Sequence, residues 1–282
     1  MTVDLSICIP SKDRHADVLR CLTSITQQSV QPKEVLVMDQ SSPGYELPSM
    51  SVLKHICQPE LSGTAAAKNR CAQEACGDYI LILDDDVELL PGCLKSLIEA
   101  LENHPEAAAV SCNPGIESMQ KLYWWNLHTM VFARGFFNGS PRGGNPFELR
   151  VLVGCAMALK RGLLLQEPFD ENLVGYSYGE DWELSHRLLR HGKLLLATQA
   201  RVIHHVSPLN RYGIRQLQRD RWDNFLYFYD KLEASQNIWD RYWRLWWGLG
   251  ESVLWLKEGM GLPVLGLQTR NSPTQSRSLR RP

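Results

Sequence analysis

Tyr79-Ile-Leu-Ile-Leu-Asp-Asp-Asp86 is the stretch on which the fold turns. An unbroken apolar run of this length suits a strand covered on both faces, and it delivers three carboxylates to one place. Two earlier runs match it. Leu5-Ser-Ile-Cys-Ile-Pro10 reads as a buried strand that should close at Pro10, because proline cannot donate to a central ladder. Glu34-Val-Leu-Val-Met-Asp39 reads as another, ended by turn chemistry at Ser41-Ser-Pro-Gly44. Between the strands, residues 16–28 place Val18, Leu19, Leu22 and Ile25 at helical spacing. Residues 65–76 form a second helical pattern, with Gly77 as a C-cap. Strands alternating with helices predict an α/β fold, a mostly parallel, Rossmann-like sheet flanked by helices. Ligands of such sheets gather beyond the carboxyl ends of the strands, where Asp39 and the acidic trio lie.

Further along, the pattern breaks between about 115 and 150 into Trp124-Trp125, Phe136-Phe137 and a Gly/Pro-rich stretch from Gly139 to Pro146, which reads as a functional loop region. Regular structure returns over Val151 to Leu159. Gly179-Glu180-Asp181 opens a helix carrying Leu184, Leu188 and Leu189, and Arg201-Val-Ile-His-His205 reads as a short strand. Helices follow over 215–232 and 240–257, the second rich in tryptophan, and the tail beyond Gly261 is expected to be poorly ordered. The expected organisation is a nucleotide-binding half (1–115), an acceptor half of the same catalytic domain (116–235) and a C-terminal helical extension with a basic tail (236–282).

The bulk properties bound the function. A chain of 282 residues with 44% hydrophobic and 22% charged residues is ordinary for a globular protein. A net charge of −1 offers no general attraction for nucleic acid. The eight cysteines include no CxxC pair and no zinc-type spacing, so reduced thiols in a cytoplasmic protein are expected. Neither a signal peptide nor an apolar run of about 20 residues is visible.

Three adjacent carboxylates repel one another unless a cation or protons compensate them. Oxygen donors suit Mg²⁺ or Mn²⁺, and such an ion would hold a diphosphate; an acidic turn capping the strand is the plainer account. Asp39 suits a turn, or a carboxylate accepting the ring N–H of a uracil or thymine base. Glu180 and Asp181 complement a helix dipole, or supply a general base. His204 and His205 suit metal ligation or a structural strand end. Tyr123, Trp124 and Trp125 suit sugar stacking or simple packing. The residues alone leave each pair of readings open.

In this order, the pieces resemble the family 2 inverting glycosyltransferases of the GT-A fold. Ser6-Ile-Cys-Ile-Pro-Ser-Lys-Asp-Arg14 resembles the family's opening strand and nucleotide loop, and Val35-Leu-Val-Met-Asp-Gln-Ser-Ser42 its second strand. Gly63 through Asn69 and Ala75 through Asp86 resemble the approach to the metal-binding DxD. Val153-Gly-Cys-Ala-Met157, Phe169-Asp-Glu171 and Gly179-Glu-Asp-Trp-Glu-Leu184 resemble the acceptor half. The resemblance implies donor contacts from Pro10, Ser11, Arg14, Asp39, Lys68, Asn69, Asp84 and Asp85. It implies a metal site of Asp84, Asp86 and His204, and a base Asp181 with Glu180 as its partner. Lys68 stands where the family usually has arginine, and Gln40 and Asp13 depart from it at nucleotide contacts.

The expected activity is metal-dependent inverting transfer from a UDP- or dTDP-type sugar to a hydroxyl of a glycan or lipid-linked acceptor, in surface-polysaccharide synthesis. The alternatives are a sugar-nucleotide nucleotidyltransferase and an inactive carbohydrate-binding relative. The 243–257 helix suits either the inner face of the cytoplasmic membrane or packing on the catalytic domain or a second subunit.

Overall fold

Along the first strand, Leu5, Ile7 and Ile9 enter one buried cluster while Cys8 enters another, the period-2 signature of a strand covered on both faces. The computed structural model describes residues 2–115, 146–149, 151–173, 177–209, 213–232, 245–246, 248–250 and 252. Nine strands and six helices of some length fall among them. In chain order they are β1 (Thr2–Ser11), α1 (His15–Thr26), β2 (Gln31–Asp39), β3 (Leu53–Cys57), α2 (Thr64–Glu74), β4 (Tyr79–Leu83), β5 (Val87–Leu89), α3 (Cys93–Asn103) and β6 (Ala107–Asn113). There follow β7 (Phe147–Leu149), β8 (Ala156–Lys160), α4 (Arg161–Gln166), α5 (Glu180–Leu188), β9 (Lys193–His204) and α6 (Ile214–Leu232).

The strands join in the order β3-β2-β1-β4-β8-β6-β9-β5, with β7 also paired to β9. β1, β2, β3 and β4 are parallel. β8 is antiparallel to both β4 and β6, so β6 and its parallel neighbour β9 resume the original direction. Six strands thus point one way, and the sheet is mostly parallel. One face packs on α1 and α3 through Val18, Leu22, Ile25, Leu94 and Leu97. The other packs on α2 and α5 through Ala67, Cys71, Leu184 and Leu188. Both faces are apolar, which is why the strands read as continuous hydrophobic runs.

Several elements differ from the sequence expectation. β1 continues through Pro10 to Ser11, which pairs with Asp39. The β4 ladder stops at Cys8, so Pro10 is paired only to Met38 and sits as if on an edge. The 151–159 segment is a strand only from Ala156, although Val151 and Leu152 are buried. The strand expected over 201–205 is the end of the much longer β9, whose last three residues pair with β5. The expected loop region with its aromatic pairs, and most of the 240–257 helix, lie outside the described residues; 245–246, 248–250 and 252 are helical.

Candidate active site

β4 ends at Leu83, and the three aspartates leave it in different directions. Asp84 donates its backbone N–H to the Cys155 carbonyl (2.9 Å) and keeps a partly exposed carboxylate 3.9 Å from the Lys68 Nζ. Asp85 turns inward, accepting from the Ser11 hydroxyl (2.8 Å) and from Arg14 Nη1 (3.0 Å). Burial raises its pKa to about 7 against the pull of Arg14. Asp86 accepts the Ser207 backbone N–H (2.8 Å) and lies 3.1 Å from the His204 Nε2. Burial opposes a charge on His204, but with no ion bound the Asp86 carboxylate and Cys155 outweigh it and raise its pKa to about 10; a metal ion would have to displace that proton to bind Nε2. His205 turns the other way, to Glu88 at 2.9 Å.

The alternation of β9 therefore brings only one of the two histidines to the aspartates. The facing ligand atoms of Asp84, Asp86 and His204 lie within 4.8 Å of one another. Two carboxylate oxygens and an imidazole nitrogen fit a divalent ion such as Mn²⁺, and Mg²⁺ through the oxygens. The sharp turn after His205 puts Val206 at φ 54°, a costly conformation for a β-branched residue. The next residue, Ser207, is the one that bonds Asp86.

A second group faces this one from α2 and α5. Lys68 is 2% exposed and donates to Glu180 Oε1 at 2.5 Å, with its ammonium over the Phe169 ring. Burial favours loss of its proton, but Glu180 and Asp84 outweigh that and hold Lys68 charged. Glu180 leaves Oε2 buried without a hydrogen-bond partner, and burial pushes its pKa to about 7. Asp181 is half-buried, accepts the Trp182 N–H (3.0 Å), and has its pKa raised by burial to about 6. Gly179, at φ 90°, starts α5, so the two acids occupy its first turn. Gly154 makes room for Asp181: a Cβ there would sit 2.7 Å from Asp181 Oδ2.

Other expected donor contacts are engaged within the protein. Asp39 is fully buried; Oδ1 accepts the Ser41 N–H (2.8 Å), and Oδ2 meets the Tyr45 N–H (3.4 Å) and His55 Nε2 (3.2 Å). The turn role is thus realised, and a base could reach this carboxylate only if that segment moved. The Asn69 amide is used by Phe169 and Glu171 (2.8–2.9 Å), so it fixes the 169–171 segment rather than facing the aspartates. Arg14 clamps the Leu209 carbonyl (2.8 and 3.0 Å) and Asp85, which ties the start of α1 to the segment after β9. Pro10 is buried in the ladder.

Sequence reasoning missed Gly154, Ser207 and Tyr45, whose hydroxyl donates to Ser11 (3.0 Å). Only the position of Gly154 inside Val153-Gly-Cys carried a signal.

Comparison with known proteins bears on the family and the fold. The family model for glycosyl transferase family 2 matches residues 6–166, more than half of the chain. An uncharacterized glycosyltransferase of Haemophilus influenzae is 32% identical over 108 residues, 36% of this chain and 35% of the relative. The succinoglycan biosynthesis protein ExoM of Rhizobium meliloti is 24% identical over 238 residues, 78% of this chain and 72% of its own length. The match therefore spans about a third of the Haemophilus relative and most of ExoM. Among solved structures, the mannosyltransferase PcManGT of Pyrobaculum calidifontis, in complex with GDP-Man and Mn²⁺, superposes with a TM-score of 0.58 at 15% identity. That superposition covers 92% of this chain and 80% of the other, and at this identity it shows a shared GT-A fold. With the match running from β1 through α4 and the acidic trio inside it, the chain belongs to glycosyl transferase family 2.

Proposed function

We propose that this chain is an inverting glycosyltransferase. In this reading it moves a sugar from a nucleoside-diphosphate donor, UDP- or dTDP-linked, to a hydroxyl of a glycan or lipid-linked acceptor. The supporting observation is the meeting, at the carboxyl ends of parallel strands, of Asp84, Asp86 and His204 with the Lys68–Glu180–Asp181 group. Asp84, Asp86 and His204 would hold Mg²⁺ or Mn²⁺, which when bound neutralises a departing diphosphate as a Lewis acid.

Lys68, kept charged by two carboxylates, adds a fixed cation on the same side. Glu180, held by Lys68, cannot swing, and so sets the first turn of α5. Asp181 keeps exposure that Glu180 lacks, and takes the proton of the acceptor hydroxyl. The hydroxyl oxygen then bonds the anomeric carbon from the face opposite the bond to phosphate. That bond breaks, its electron pair leaves with the nucleoside diphosphate, and the configuration inverts. A role in surface-polysaccharide synthesis, at the inner face of the cytoplasmic membrane, is part of the proposal; ExoM, a succinoglycan biosynthesis protein, is in keeping with it.

Thermal unfolding with UDP, dTDP, GDP and CMP, each with and without Mn²⁺, tests the reading, because a ligand of the folded chain alone must raise its Tm. One diphosphate should raise Tm only with Mn²⁺, and Asp86→Ala should abolish the rise. No response to any nucleotide with Mn²⁺ would overturn it.

A further inference from the structure

The pairing of β2 with the edge strand β3 sets Asp39 directly opposite Cys57. His55, two residues earlier on β3, shares the face of Cys57 because side chains repeat every second residue. Three different donor atoms consequently converge at the end of the ladder. Asp39 Oδ2 lies 3.2 Å from His55 Nε2, His55 Nε2 lies 3.6 Å from Cys57 Sγ, and Cys57 Sγ lies 4.0 Å from Asp39 Oδ2. In a tetrahedral zinc site, bonds of about 2.0–2.3 Å put neighbouring ligand atoms about 3.3–3.6 Å apart. Two of the three separations are at or within about 0.1 Å of that range, and the third needs a few tenths of an ångström of closure.

The surroundings fit as well. Gly44 passes directly over the cluster; a Cβ there would stand 3.3 Å from Cys57 Sγ and 3.4 Å from Asp39 Oδ2. Any side chain at 44 would therefore crowd the space between the donors. Cys57 is exposed and His55 half-buried, which leaves one side of the cluster open to a water molecule as fourth ligand. The donors also differ in kind from those near Asp84. A thiol, an imidazole and one carboxylate select borderline cations such as Zn²⁺ over Mg²⁺ or Mn²⁺.

We propose that Asp39, His55 and Cys57 form a site for Zn²⁺, separate from the Asp84–Asp86–His204 group. Three protein ligands leave the fourth position to water, in contrast to a closed structural site with four. The site needs no part of the glycosyltransferase reading to exist.

Cobalt reports on it directly, since Co²⁺ bound to a thiolate has a near-ultraviolet charge-transfer band that an oxygen–nitrogen site lacks. The full chain, stripped of metal and titrated with Co²⁺, should develop this band at one equivalent, and Zn²⁺ should bleach it. Cys57→Ser and His55→Ala should abolish or strongly weaken it, whereas Asp86→Ala should retain it. Cys155 lies beside a candidate ligand of the other group, His204, so Cys155→Ser should also retain the band. Cys57 is exposed and its replacement nearly isosteric, so Cys57→Ser should unfold at the wild-type temperature. Absence of the band in the wild type, or its survival in Cys57→Ser, would overturn the proposal and leave a plain Asp39–His55 hydrogen bond.

Discussion

At the residue scale, the site depends on carboxylates whose burial sets their protonation. Asp181 begins near 3.8 and is raised to about 6 by burial. Between those values the native state holds the proton more tightly than the unfolded chain, so stability contributed at Asp181 falls as pH rises through that window. Asp181→Asn should therefore stabilise the protein at pH 7, by on the order of 1–3 kcal/mol. It should also lower kcat by about 10²–10⁴-fold with donor affinity nearly unchanged, since the amide cannot accept a proton. In the wild type, kcat should climb with pH up to about 6 and then level; steady-state rates across pH and a melting curve check both claims. Gly154→Ala should imitate that loss without replacing the acid, because the new methyl would press on Asp181 Oδ2. Turnover equal to wild type there would mean that Asp181 is free to move. Lys68 offers a different measurement. Lys68→Met strands Glu180 in a buried setting, and losing one partner of such a pair typically costs about 3–5 kcal/mol. Adding Glu180→Gln should return part of that loss, and urea unfolding of the two single variants and the double variant would show the coupling.

At the element scale, β9 decides which histidine matters. Its register pairs His204 with Val87 of β5, and the alternation turns the ring of His204 to Asp86 and that of His205 to Glu88. His204→Ala should weaken Mn²⁺ activation at least tenfold while His205→Ala leaves it within twofold, read from rate against metal concentration. Equal effects would mean that the strand end reorganises when an ion binds. The same strand shows what the sequence could and could not disclose. The apolar runs of β1, β2 and β4 were legible because both faces are covered, and the carboxyl-end rule then pointed to Asp84 and Asp86. β3 was not legible: Leu53-Lys-His-Ile-Cys57 is half-buried on an edge and lacks a continuous apolar run. Most of β9 was hidden as well, since Thr198 and Gln199 interrupt its hydrophobic pattern where the ladder to β6 shifts register. The turn role of Asp39 was legible; its enclosure by Tyr45 and His55 was not, because that depends on contacts between segments distant in sequence.

At the scale of the whole molecule, the question is what the C-terminal helix does beyond the catalytic sheet. Its described residues differ in exposure. Gly248 is buried, and a Cβ there would lie 3.4 Å from the Trp222 ring of α6, ordinary contact distance, so the two segments pack together. Leu245 and Leu249, one helical turn apart, are 71% and 53% exposed. Packing on the domain at Gly248 and outward exposure of two leucines thus occur together in this segment. No described helix is long and apolar enough to cross a membrane. An exposed pair of this kind suits in-plane contact with a bilayer, where apolar side chains sink to the acyl boundary. Arg270, Arg277, Arg280 and Arg281 follow in the sequence, and each basic residue near an anionic surface adds about 1 kcal/mol. Leu245→Glu with Leu249→Glu should leave Tm within a few degrees, since both side chains already face solvent, yet stop the protein pelleting with anionic vesicles. A chain ending at Asp240 should behave likewise, and the wild type should pellet less as salt rises. If wild type and double variant sediment alike with vesicles, and the variant alone loses mass by light scattering, these leucines join two subunits and the membrane reading fails.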